Sequence, residues 1–270
     1  MLLSLHIFAL GAYLVAAVAL VTALAGRRTA SGLPMWAVSA GVVAHAGGLL
    51  AYWLRWGEPP LAGLGPVLSS IGLLLALASV LVSVAWRIGP IGLVLSPLAA
   101  LLTGLAIAVG VAPAAAAPAP AGAAFLSHVV LAVLAYVAVA VAFAAGAMYL
   151  LQFRELKGKR FGAIFRFFPP LETLDRVGRA ATVTAFVCIS LALVIGWSLT
   201  LTAHGTLAPG NPQVIWGVLT WLVLLLILVA RRGGGRREQR AAAASVLGFG
   251  VIVLAFVVLR VAVTQGGVFL

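Results

Sequence analysis

The sequence predicts an all-α, polytopic membrane helical bundle of about eight transmembrane helices with both termini exoplasmic. Three observations carry this. Of the 270 residues 64% are hydrophobic and only 8% charged, with a mean hydropathy of +1.22, whereas a soluble domain is about half apolar and a quarter charged. Apolar runs of the length that crosses a bilayer recur at 2–25, 34–54, 66–86, 90–111, 124–152, 180–203, 213–230 and 241–263, and together they leave no loop large enough for a soluble catalytic domain. Finally, fifteen of the 17 Lys and Arg fall in alternate connections, so those loops are expected inside and both ends outside. The whole chain, 1–270, then forms a single integral membrane domain.

Each element has its own justification. The first run ends Ala23-Leu24-Ala25, which imitates a cleavage site, but no basic stretch precedes it and Arg27 and Arg28 follow it. It is therefore read as span one. Arg87 closes span three, and residues 112–124 (VAPAAAAPAPAGA) read as an extended outer connection. The inner loop after span five, FRELKGKRFGAIFRFFPPLETLDRVGR, mixes Phe with cations and is expected to lie in the interface. Pro169 and Pro170 suit a helix start, and Glu172/Arg176 and Asp175/Arg179 are acid-before-base pairs at i, i+4. That pairing accounts for both acids without catalysis. Cys188, the single cysteine, lies inside span six, so there is no disulfide framework and no redox or haem-attachment pair.

The net charge of +12 would raise the question of nucleic acid in a soluble protein. Here membrane orientation explains it, and lipid is the expected contact instead. The informative residues are the four histidines. His6 and His128 fall about a turn inside the outer ends of spans one and five, and His204 ends span six. His45, about ten residues from the outer end of span two, should lie roughly 14 Å deep. An imidazole at that depth needs a partner and is a functional candidate. No span contains an acid, so a relay alternating carboxylates with histidines is short of members, as is a zinc site. Neutral imidazole is, however, a standard axial ligand of haem iron, and an apolar cavity suits a porphyrin.

Structural readings stand beside these. His6 is expected to touch water or headgroups, and His204 is readable as a polar loop residue. Tyr52, Trp53 and Trp56 fit an interfacial belt. Trp197 and Trp216 lie deeper than a belt needs, where core packing is expected, with a ligand-facing role open for both. Arg55 and Arg260 are the only outer cations. Guanidinium suits a haem propionate, a role assigned to Arg55, while Arg260 is expected to snorkel.

The segment HVVLAVLAYVAVAVAFAAGAMYLLQFRELKGKR from His128 to Arg160, with FPPLETLDRVGR at 168–179 and HGTLAPGNPQVIWGVLTWLV at 204–223, resembles the cytochrome c assembly protein family, in particular its eight-span HemX-like branch. A weaker echo is WGEPPLAGL at 56–64. The resemblance implies haem handling at the outer face. His128 matches the histidine that opens the span before the family's outer loop and serves there as an axial ligand. The tryptophan-rich motif of that loop, WGxxWxWDPKExWAxxTW, is degraded here. Aligning Asn211-Pro212-Gln213 on Asp-Pro-Lys keeps Trp216, Trp221 and Gly205. His204, Ala208, Gly210 and Asn211 replace three tryptophans and the aspartate, and the matching C-terminal histidine is missing.

The chain is therefore expected to be a haem-binding protein of the bacterial inner membrane, acting in haem transfer or cytochrome c maturation. It would hold haem b in the outer half of the bundle, with His128 first, His45 second and His204 third as ligands of the iron. Arg55 and Trp216 are expected to be accessory contacts. Haem-lyase activity by this chain alone is not expected, and a membrane or periplasmic partner in cytochrome c maturation is. The alternative is a non-catalytic regulator of haem biosynthesis or an accessory subunit of a larger membrane complex.

Overall fold

The computed structural model describes residues 1–27, 30, 32–61, 63–113, 122–159, 161–204, 211–232 and 236–264; the side chains of 203, 204 and 260–264 fall outside that description. Among the described residues there are only helices: α1 (Leu2–Leu24), α2 (Leu33–Trp56), α3 (Leu64–Ala85), a 3-10 turn (Gly89–Ile91), α4 (Gly92–Val109), α5 (Ala123–Lys157), α6 (Ala163–Phe167), α7 (Leu171–His204), α8 (Pro212–Ala230) and α9 (Arg237–Thr264). All but α6 are long and apolar enough to cross a membrane, which gives eight candidate spans. Only helices satisfy every backbone group from within in hydrocarbon, apart from closed barrels, so the apolar runs and the helices coincide.

Three boundaries extend a span into charged sequence. Helix α5 continues past residue 152 to Lys157, α7 begins at Leu171 and runs unbroken into the sixth span, and α9 begins at Arg237 instead of residue 241. No glycine–proline break separates Leu171 from the apolar run, and Arg179 donates to Asp175 at 3.2 Å as the i, i+4 spacing requires. The acid-rich start and the membrane segment are thus one helix. The interfacial piece between them is the short α6, whose Phe165 N–H donates to Glu155 Oε2 at 2.8 Å. Phe161 beside it is exposed. Most of the expected outer connection, residues 114–121, lies outside the described residues.

The chain divides into two compact units. The first takes α1 to α4 with residues 151–173. In it α1 packs on α2 and α4, and α3 packs on the same two helices, so the four close a ring. Small residues set the spacing. Gly41 faces the Tyr13 ring and Gly48 the His6 ring, where an added Cβ would come within 2.5 and 2.8 Å of ring atoms. At Gly65 an added Cβ would overlap the Gly110 carbonyl oxygen, so backbone rather than side chain meets the first turn of α3. The left-handed Gly57 (φ 71) ends α2.

The second unit takes α5 up to residue 150, α7 from residue 174, α8 and α9. Its core joins Ala135, Val139, Ala185, Ile189, Leu224 and Ile252, one or more from each helix. Asp175 also accepts from Arg231 of α8 at 2.5 Å, with both side chains largely out of solvent. The sequence reading paired Asp175 with Arg179 alone; the partner 56 residues away carries no local spacing signal. Cys188 is a half-buried free thiol, as expected of a packing residue. Trp197 departs from expectation: it is 56% exposed on the outside of its helix rather than packed in the core.

The Gly65 contact is testable. Gly65→Ala should lower the unfolding temperature in detergent, with a loss of about 1–3 kcal/mol because backbone cannot yield as a side-chain tip does. An unchanged transition would show that α3 and α4 do not approach this closely.

Candidate functional site

Two histidine environments emerge, one in each unit, and they are built differently. In the first unit His6 and His45 are both completely buried. Their rings meet edge to face with centroids 4.9 Å apart. Both Nε2 atoms converge on one oxygen, Ser69 Oγ of α3, at 2.9 Å from His6 and 2.8 Å from His45. The far nitrogen of each ring is also engaged: His6 Nδ1 on the Leu2 carbonyl oxygen at 2.9 Å, and His45 Nδ1 on the Tyr13 hydroxyl at 3.2 Å.

The polarity of this chain follows from one end. A carbonyl oxygen only accepts, so His6 Nδ1 carries the proton and Nε2 of that neutral ring is bare. Ser69 must then donate to His6, and it has one proton to give. His45 Nε2–H therefore donates to Ser69, leaving His45 Nδ1 to accept from Tyr13. Every donor points the same way, from Tyr13 through His45 and Ser69 to His6 and Leu2. Tyr13 and Ser69 are also fully buried.

The expectation for His6, contact with water or headgroups, is overturned by this burial. Counting residues from helix ends also set His6 and His45 at different depths. The facing pairs Gly48/His6 and Gly41/Tyr13 show why the count misleads. Because α1 and α2 are antiparallel, that register sets Leu2 near Tyr52, so α2 runs about a turn past the start of α1 and the two imidazoles lie level. Tyr13 and Ser69 were not singled out from sequence. His6, Ala9 and Tyr13 repeat at helical spacing, as do Gly41, His45 and Gly48, so the large His6 and Tyr13 each face a glycine of α2. Ser69 has no such signal, since Ser70, Ser79 and Ser83 share its helix.

His128 of the second unit is different. Its Nδ1 lies 2.7 Å from the Ala192 carbonyl oxygen on α7, so Nδ1 donates and Nε2 keeps a free lone pair. Gly196, one turn further along α7, gives the ring its seat: an added Cβ would stand 2.6 Å from His128 Cε1 and 2.8 Å from Nδ1. A backbone carbonyl on one nitrogen and nothing among the described residues on the other is how proteins prepare a histidine for a metal.

The remaining candidates fall as follows. Arg55 is exposed at the end of α2, with its guanidinium carbon 4.9 Å over the Trp56 ring. Glu58 accepts from Tyr52 at 3.4 Å instead of pairing with it. Trp216 donates from Nε1 to the Ile252 carbonyl at 3.2 Å, lies against Tyr136 at 4.3 Å and meets Phe256 at 5.0 Å. That indole thus has ring neighbours on α5 and α9 and a backbone partner on α9. The side chains of His204 and Arg260, and residues 205–210, lie outside the described residues. Asn211 caps α8, its side chain accepting from Gln213 N–H at 2.9 Å, with Pro212 in the first turn. The Asn-Pro step is therefore a helix start with a physical reason of its own.

The family model for cytochrome C assembly protein matches residues 59–265, more than half of the chain. The protein belongs to the cytochrome c assembly family. No curated protein matches the sequence. The matched stretch contains His128, Ala192, Gly196 and the capped start of α8, so the second-unit histidine lies within it. His6, Tyr13 and His45 precede it.

The chain of hydrogen bonds makes a definite prediction. Ser69→Ala strands Nε2 of two buried rings at once, and each unsatisfied polar atom costs about 1–3 kcal/mol. Thermal unfolding should show a loss larger than that of Ser190→Ala, whose serine lies half-buried in the other unit. Equal losses would mean that Ser69 does not bridge the rings.

Proposed function

We propose that this cytochrome c assembly protein binds b-type haem through His128 in the outer half of its second unit, in the course of haem transfer for cytochrome c maturation. Membership in the family supports the role in cytochrome c maturation, and the eight apolar helices make the protein multi-pass. The observation that carries the haem reading is the single free nitrogen of His128. Its Nδ1–H is fixed on the Ala192 carbonyl at 2.7 Å, which sets the tautomer and the orientation of the ring. Bound haem would bring the iron and its redox chemistry; the chain brings one oriented donor and an apolar surround. Arg55 is exposed in the first unit and takes no part in the site proposed here.

His45 is not offered as a ligand in this reading, because both its nitrogens are engaged in the first unit. Haem binding also favours the bacterial inner membrane with both termini outside, since the basic loops then face the cytoplasm. The second reading, a regulator or accessory subunit, draws on the outer motif. Where the family motif has aspartate, Asn211 serves as a helix cap, so retention of that Asn-Pro step has a purely structural explanation.

The visible spectrum of the purified full-length protein, with haem supplied, decides between them. A Soret band that His128→Ala reduces by about tenfold or more, and that added imidazole restores, supports ligation at this residue. A protein that stays colourless, or a band unchanged by the substitution, supports the accessory reading.

A further inference from the structure

We infer that His6 and His45 form a binding site for a soft monovalent metal ion, copper(I), in the first unit. The site is separate from the haem proposal and lies ahead of the family segment, which begins at residue 59.

The argument starts from convergence. Two imidazole nitrogens from different helices aim at a single point, now held by the Ser69 hydroxyl at 2.9 and 2.8 Å. The opposite nitrogens already have the partners that bound histidines require: a backbone carbonyl for His6 at 2.9 Å and a phenol oxygen for His45 at 3.2 Å. Gly48 and Gly41, facing His6 and Tyr13, hold this arrangement without a side chain in the way. Here two rings share an oxygen while each is fixed from behind.

Geometry and charge then choose the ion. Ring centroids 4.9 Å apart leave no room for a porphyrin between them, so this pair does not sandwich haem. Among the described residues no group of three or more His, Cys, Asp or Glu assembles, so a tetrahedral divalent site lacks ligands. All four members of the network are completely buried and none is acidic. A divalent ion would carry two uncompensated charges into hydrocarbon, at a heavy desolvation cost. Copper(I) carries one, accepts imidazole, and is content with two or three donors.

The protons balance without loss. As Nε2 of His45 takes the metal, its proton moves to Nδ1, and the Tyr13 hydroxyl turns from donor to acceptor. His6 keeps its proton on Nδ1. The Ser69 hydroxyl turns its proton to a carbonyl of its own helix and becomes a neutral third donor. No proton is released and no electron is exchanged.

The test uses the full-length protein in detergent, loaded anaerobically with copper(I) as its acetonitrile complex and then dialysed against a mild chelator. About one copper per chain should remain, X-ray absorption should show nitrogen and oxygen neighbours only, and His6→Ala and His45→Ala should each lower retention by about tenfold or more. Cys188→Ser should retain copper as the unaltered protein does. Failure of the unaltered protein to hold copper overturns the proposal. So do sulfur neighbours, which would point to Cys188 or to Met1, Met35 and Met148, and so does undiminished retention in both histidine variants. Should those variants misfold, the absorption spectrum of the unaltered protein decides alone.

Discussion

Every polar atom placed in the hydrocarbon must find its partner within the protein, because no water is there to supply one. That single constraint shapes this molecule from backbone to site. It makes the described chain helical throughout, and it turns each buried histidine into a problem with few solutions. In the first unit the solution is collective: Tyr13, His45, Ser69, His6 and the Leu2 carbonyl each satisfy the next. Removing any one strands another, so the residues act as a unit rather than as a set of independent contacts.

The second unit solves the same problem only halfway. His128 gives its proton to the Ala192 carbonyl and keeps its other nitrogen unengaged among the described residues. The ring is only half-buried near the start of a long helix, and an unsatisfied acceptor costs less there than in a fully buried setting. The contrast separates two kinds of histidine that look alike in sequence. One kind has both ring nitrogens engaged, and the other has one.

Much of the architecture was legible from sequence because the bilayer imposes simple lengths and a simple charge rule. The eight spans follow from runs such as 66–86 and 213–230, and Pro169, Pro170 and the Asp175/Arg179 spacing mark the helix start of α7 but not its continuity with the sixth span. His128 stood out through its place at the head of span five and through the family segment. The network around His45 was legible only in part. Its own need for a partner was plain from depth, but the partners come from α1 and α3, 24 to 63 residues apart in the bonds they make. Helix ends that are not level defeated the depth count for His6. A serine among several serines carries no mark, and neither does Arg231 as the long-range partner of Asp175. In each case the missing information was register between helices, which hydropathy does not encode.

Because the Leu2 carbonyl can only accept, the proton on each ring of the first unit is fixed, and nitrogen NMR reads it directly. In metal-free protein labelled with 15N at histidine, with signals assigned by single substitution, His6 should be neutral with its proton on Nδ1 and His45 neutral with its proton on Nε2. Opposite tautomers in two touching rings are the signature of one directional chain. Identical tautomers, or a doubly protonated ring at either position, would contradict it.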